Sequence, residues 1–420
     1  MRIEAARESR DGERASVTAR FEWEDADLPP LEMFFSVAGV GAEALRADLH
    51  PFLLAAAIPA WRRGERRIAV AGSLCPRLRD GIGAAQRLLS RWWRLDREAV
   101  RLEPASGWRP FARRRDRAAL FLTGGVDSLH LLRTNRRAFP ADHPAAFRDA
   151  ISSLRMSFVE AEPSPRAVDL ARRQSRSVAA VAAGSGLDLV EIDSNFRLLD
   201  PAPRLAGPQE QGALLAALAH LAAARVGSAA IAATFHASSL PRWGTHPLLD
   251  PLYSSSGVEI RHEGYHATRP EKIEAIADWD LARRHLLVCF EGPLADGELN
   301  CGRCEKCLRT MTALEALGVL DEFPAFGGAR VTEEAIEAMT FGYSPEYFEF
   351  SWAPLLALLE SRDRRRLARA VRAKIARGRR IEAWNREADW RGRLRRLDRR
   401  FLGGALVRVT RKWRGLPATR

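Results

Sequence analysis

The spacing of apolar positions changes along this chain. Alternation through Ala15-Ser16-Val17-Thr18-Ala19-Arg20-Phe21 and the run Leu31 to Val40 predict strands, while Ala42 to Trp61 and Gly81 to Trp93 carry helical spacing. Residues 1–115 therefore read as a small α+β domain without obvious chemistry. From residue 116 onward, short apolar runs alternate with helical segments. Ala118 to Leu122, Leu154 to Val159, Leu187 to Ile192 and Ala229 to Thr234 predict strands, with helices over Asp127 to Arg136, Pro165 to Ala183 and Gln211 to Val226 between them. Alternating β and α units of this length predict an α/β fold with a parallel sheet covered by helices on both faces, and ligands at the carboxyl ends of its strands. Beyond residue 325 the chain reads as helical, with a helix start at Thr332-Glu333-Glu334-Ala335 and a long helix over Leu355 to Arg377. No internal repeat of solenoid length is evident. The expected division is 1–115, 116–325 and 326–420.

Composition narrows the class. With 420 residues, 46% of them hydrophobic, and with Gly 30 and Pro 23, disordered, fibrous and low-complexity chains are excluded. The net charge of +13 is unevenly placed: Ser361 to Arg420 holds 22 basic and 5 acidic residues, leaving the first 360 slightly acidic. Arginines and tryptophans intermix there, at Trp384, Trp390, Arg391 to Arg400 and Trp413, as they do in helices that bind RNA or an anionic membrane surface. Lysine is nearly absent, at Lys272, Lys306, Lys374 and Lys412 alone, so a compositional bias toward arginine explains the tail as well, and a solvated or docked helix is the favoured reading over nucleic acid. The apolar stretch Gly212 to Phe235 is interrupted by His220, Arg225 and Gly227 and reads as buried helix plus strand, not as a transmembrane span. No apolar leader opens the chain, and a cytoplasmic location is expected.

Two motifs carry chemistry. The first is the strand Ala118 to Leu122 followed by Thr123-Gly124-Gly125-Val126-Asp127-Ser128 and a helix start. Glycines let backbone approach an oxyanion, and free N–H groups at a helix terminus favour phosphate. Asp127 would repel that ligand unless a Mg²⁺ is shared between them, or unless it and Ser128 only cap the helix. The second is Cys289 followed by Cys301-Gly302-Arg303-Cys304-Glu305-Lys306-Cys307, four of the five cysteines, whose spacing suits a closed, structural Zn²⁺ site and also an iron–sulfur cluster, with zinc favoured because the run leads into a helix at Leu308 to Leu314 in a chain that also carries the glycine motif. Cys75 stands alone and reads as a buried thiol.

The glycine string resembles the PP-loop of the ATP pyrophosphatases, with Thr123 in place of the usual first serine. Together with the cysteines, residues 116–316 look like a divergent relative of the 7-cyano-7-deazaguanine synthase (QueC-like) branch. The resemblance implies cleavage of Mg·ATP to AMP and pyrophosphate, a loop of Thr123 to Ser128 around the departing pyrophosphate, and zinc on Cys289, Cys301, Cys304 and Cys307. It implies a ligase that adenylates a carboxylate or related oxygen of a small-molecule substrate for capture by a nitrogen nucleophile. It leaves the substrate, the nitrogen donor and the oligomeric state, a homodimer among the options, unassigned. Thr268-Arg269 stands where that branch carries a Thr/Ser-Lys pair, which makes Arg269 and Lys272 candidate catalytic cations alongside Asp127 and Ser128, although Thr268 and Glu271 also read as a capping box. The branch's Pro-x-Arg-Asn is replaced by Gly207-Pro208-Gln209-Glu210-Gln211-Gly212, and its Tyr-Pro-Asp by Thr245-His246-Pro247-Leu248-Leu249-Asp250, so a changed substrate pocket is expected. His236, His246, His262 and His266 are further candidates for substrate or metal. A tRNA-modifying enzyme transferring sulfur or nitrogen, and a nucleotide-sensing subunit, are the alternatives.

Overall fold

The computed structural model describes residues 1–111, 116–153, 165–200, 209–289, 299–341 and 345–386. The strands expected at Leu154 to Val159 and the tail beyond Arg386 lie outside the described residues. The chain forms two compact units: Met1–Thr268 with Asp278–Leu287, and Arg269–Ala277 with Val288–Arg420.

The first unit is built on an eleven-stranded, mostly parallel sheet flanked by helices. Its strands are β1 (Arg2–Ile3), β2 (Arg7–Asp11), β3 (Arg14–Glu22), β4 (Leu31–Ala38), β5 (Arg67–Val70), β6 (Arg101–Pro104), β7 (Ala118–Phe121), β8 (Phe147–Ser152), β9 (Asp188–Ser194), β10 (Ser228–Ala232) and β11 (Glu259–Glu263). Its helices are α1 (His50–Arg63), α2 (Pro76–Trp93), α3 (Val126–Ala138), α4 (Pro165–Gly184), α5 (Gln211–Leu221) and, after an excursion into the second unit, α7 (Asp280–His285). The second unit holds α6 (Arg269–Ile276), α8 (Glu305–Leu317), α9 (Glu333–Ala338), α10 (Pro345–Ser361) and α11 (Arg365–Arg386).

The spatial order runs β11-β10-β7-β8-β9-β4-β3-β1-β5-β6, with β2 paired to β3. From β11 to β9 every pairing is parallel. The N-terminal strands continue the same sheet through the antiparallel pair of β4 with β9, where Phe35, Ser36 and Val37 face Ser194, Asp193 and Ile192. Residues 1–104 thus share a sheet with the segment that carries the glycine motif.

Strand β7 is buried at all four positions, as a strand covered on both faces must be. Ala119 and Phe121 join the core formed with α1, α2 and α5, including Phe52, Leu78 and Leu218, while Ala118 and Leu120 are buried on the opposite side. Burying that many aliphatic and aromatic side chains, at about 1.5–3 kcal/mol each, is what holds the layers together.

Several elements begin or end away from their expected limits. The first helix starts at His50 and not Ala42, because Asp48 accepts the His50 N–H at 2.8 Å and Pro51 occupies the first turn. The second starts five residues early, at Pro76. Strand β8 lies at Phe147–Ser152, upstream of the apolar run at Leu154 to Val159. Its Asp149 is fully buried, bonded by Arg117 Nε at 2.7 Å and by Arg225, and that pairing lets a carboxylate sit inside a parallel strand. The long helix expected over Leu355 to Arg377 is two helices, α10 and α11, broken where Asp363 takes φ 52°. Thr332 caps α9 as expected, its hydroxyl accepting from Ala335 N–H at 3.1 Å.

Candidate functional site

The glycine motif sits where the chain reverses direction across the sheet. After β7 the chain adds β8 and β9 on one side, then returns to add β10 and β11 on the other, so the carboxyl end of β7 opens a crevice between β7 and β10. Thr123-Gly124-Gly125 occupies that end. Gly124 has φ 74°, a conformation that strongly favours glycine, and its carbonyl accepts from Leu287 N–H at 2.9 Å. Gly125 is the N-cap of α3 and has no side chain with which to cap it, while its own N–H reaches Thr123 Oγ1 at 3.5 Å. Ser128 Oγ donates to Gly125 O at 3.1 Å and lies 3.4 Å from Thr123 Oγ1. Asp127 and Ser128 are therefore in the first turn and not at the capping position. Thr123 is exposed, Asp127 half-buried and Ser128 buried. A glycine at the N-cap places no side chain of its own between the first-turn N–H groups and an anion.

The cysteines gather in the second unit. The Sγ atoms of Cys289, Cys301, Cys304 and Cys307 all lie within 4.8 Å of one another, and all four residues are buried. Cys301 to Cys307 and Cys289 to Cys304 are each 3.9 Å apart. A tetrahedron with metal–sulfur bonds of about 2.3 Å has edges of about 3.8 Å, so the thiols are spaced for one ion such as zinc. An iron–sulfur cluster would hold them farther apart. Hydrogen bonds from Cys289, Cys304 and Cys307 hold the Cys301 thiol well below its ordinary range, while Cys289, Cys301 and Cys304 push Cys307 up. Fully buried Asn300 fixes the first ligand, accepting from Val288 and Cys289 N–H at 2.8 and 3.1 Å and donating to Ala325 O at 2.9 Å. Cys304 is the N-cap of α8 and Cys307 lies in its first turn. Gly302 takes φ 67°, and a Cβ there would meet Ala329 at 2.6 Å.

The two segments that depart from the QueC-like pattern pack on each other in the first unit. Gly212, the first-turn glycine of α5, lies so close to the 244–250 segment that a Cβ would meet Asp250 Oδ1 at 2.5 Å and Gly244 O at 2.7 Å. Asp250 is fully buried and accepts from His246 N–H at 3.2 Å, and its Oδ2 is 2.7 Å from His262 Nδ1. Burial pushes the Asp250 carboxyl up, against the opposing pull of His262. His246 stands edge-on to Trp92 at 4.8 Å.

The other sequence candidates are dispersed. His236 bonds locally to Ser238, and His266 is exposed, 6.4 Å ring to ring from His130. Arg269 opens α6, and Lys272 in the same helix is 1% exposed. Cys75 is a buried thiol, as expected. Burial raises it, but the Ser256 hydroxyl and backbone N–H groups outweigh that and bring it to about 7. Sequence reasoning named Asp250 and His262 separately and missed their pairing. The available signal was a histidine at an inward position of a strand, two residues beyond Ile260.

Neither family models nor curated proteins nor solved structures give any match to this chain.

Proposed function

We propose that this chain is a PP-loop ATP pyrophosphatase that converts MgATP to AMP and pyrophosphate while activating a carboxylate, or related oxygen, as an adenylate for a nitrogen nucleophile. The observation that carries the reading is the loop Thr123-Gly124-Gly125-Val126-Asp127-Ser128 at the strand-order reversal between β7 and β10, with the glycine-capped start of α3 behind it. In this reading the amides of Gly124 and Gly125 and the first turn of α3 donate to the β and γ phosphates. Ser128 donates to the same pair, and Asp127 carries the magnesium. Magnesium, when bound, neutralises charge that builds on the leaving pyrophosphate. Adenylation is chemically apt because carboxylate oxygen leaves poorly and AMP leaves well. Zinc on Cys289, Cys301, Cys304 and Cys307 would be structural, since four thiolates leave no open position.

Product identity tests the reading. The protein, incubated with MgATP and a cell-derived small-molecule extract as the source of carboxylate and amine, should release AMP and pyrophosphate in equal amounts. Release of ADP and phosphate would contradict it.

A further inference from the structure

We infer that His262, oriented by Asp250, is the proton acceptor for the nucleophile that captures the activated intermediate. The inference rests on the PP-loop reading above and adds a catalytic residue to it. Three observations within the first unit support it.

The first is position. In the parallel register Ala230 faces Leu120 and Ile231 faces His262, so His262 stands level with Phe121, the last residue of β7 before the glycine loop. One strand, β10, lies between them, so two strand spacings of about 5 Å each put them about 10 Å apart across the sheet. His262 therefore lies at the carboxyl end of the sheet, where ligands of such folds bind.

The second is orientation. Nδ1 is held by the buried Asp250 carboxylate at 2.7 Å, and no described residue bonds to the other ring nitrogen, Nε2. A carboxylate on Nδ1 fixes the tautomer that leaves Nε2 as the base and stabilises the imidazolium that forms. The ring keeps 4% of its side-chain surface exposed, so it is covered but not sealed.

The third is the rim. Of the exposed large hydrophobic residues in the described chain, Leu248 and Tyr265 flank this pair. Leu248, 65% exposed, lies two residues before Asp250, and Tyr265, 39% exposed, lies with its ring 6.2 Å from that of His262. Apolar side chains left in solvent around one buried polar pair suit a site that closes over an organic acceptor.

In the capture step the nitrogen lone pair of an amine or ammonia forms the new bond to the activated carbon. Its N–H proton passes to His262 Nε2, and AMP departs with the electrons of the carbon–oxygen bond. Asp250 acts as a positioning residue.

The test uses intact, zinc-loaded protein and diethyl pyrocarbonate, which carbethoxylates unprotonated imidazole nitrogens, read residue by residue by peptide mass spectrometry. His262 should be modified under conditions that leave buried His220 untouched. MgATP at ten times its dissociation constant should slow that reaction about tenfold, as expected if the two cannot occupy the crevice together. Asp250→Asn should also slow it, because an amide that donates to Nδ1 turns Nε2 into the protonated nitrogen, a change that ¹⁵N-histidine NMR reads directly. If MgATP binds but His262 is unreactive or unprotected, the inference falls and the nucleotide reading stands. If Asp250→Asn leaves both the rate and the ¹⁵N pattern unchanged, the positioning role falls. If MgATP does not bind at all, both readings fall.

Discussion

His220 illustrates how far a single side chain can be read before a structure exists. In the sequence it interrupts an apolar stretch and, together with Arg225 and Gly227, argues against a membrane span. In the fold it lies 1% exposed in α5, its Nδ1 2.8 Å from Ala216 O, its Nε2 without a partner among the described residues, and its ring 6.4 Å from His50. Burial lowers its pKa from 6.5 to about 4. The unfolded chain therefore binds a proton that the folded chain refuses between those values. The stability associated with neutral His220 is fully present above about pH 6.5 and is lost as pH falls toward 4, a loss of roughly 3 kcal/mol. Urea unfolding between pH 7 and 4 should show this slope, and His220→Leu should flatten it. An unchanged slope in the variant would assign the acid sensitivity to other groups. The same scale explains why the Asp250–His262 pair escaped sequence reasoning: each residue is ordinary in its own segment, and only the fold of 250–262 brings them together.

At the scale of elements, periodicity located β7, β9 and β10, most directly where burial of both faces leaves the apolar run of β7 unbroken, and did not locate β5, β6 or β11. It failed where a charge is buried in a pair. Asp149 breaks the apolar run of β8 on paper, and no sequence window reveals that Arg117 and Arg225 neutralise it. It also failed at Asp363, whose left-handed backbone ends α10 although the surrounding residues favour helix. The cysteine knuckle was legible in full, because thiolate spacing encodes its own geometry. Cys289 and the loop from Cys301 to the start of α8 come together around one point, so the binding energy of a metal held there would be folding energy. Purified protein should contain one zinc per chain by elemental analysis. Cys304→Ser should lose the metal and lower the melting temperature, while wild type treated with a strong chelator should be destabilised in the same way. Iron with visible absorbance, or a variant as stable as its parent, would contradict the assignment.

At the scale of the molecule, the sheet and the charge distribution bear on function. The order β9-β8-β7-β10-β11 follows from parallel crossovers on either side of β7, which the alternating pattern anticipated in kind but not in order. The pairing of β4 with β9 had no local signal, since strand partners far apart in sequence leave no trace in either segment. The basic C-terminal region is partly neutralised where it is described: Arg366 pairs with Glu333 at 2.6 Å, Arg379 with Glu349 and Arg372 with Glu360. Ala368, Val371 and Ile375 of α11 are buried. These contacts dock α11 within its own unit, while Trp390, Arg391 to Arg400 and Trp413, on which the RNA reading rests, lie outside the described residues, so a docked or solvated tail is our proposal. Deleting residues 387–420 should leave MgATP affinity unchanged, and the full chain should bind tRNA weakly at physiological salt. Tight tRNA binding that weakens steeply with salt and vanishes on truncation would reverse that view.

The central claim, a pyrophosphate-gripping loop that shares a magnesium with Asp127, is tested most directly by calorimetric titration of ATP into wild type and Asp127→Asn, with and without Mg²⁺. Asp127 is half-buried in the first turn of α3, and asparagine is nearly isosteric, so the fold should survive. Wild type should bind MgATP, the variant should bind it about tenfold or more weakly, and the difference should shrink when magnesium is withheld, because the proposed contact of Asp127 with the nucleotide runs through the metal. A wild type that does not bind MgATP, or a variant that binds it as tightly as its parent, would contradict the account.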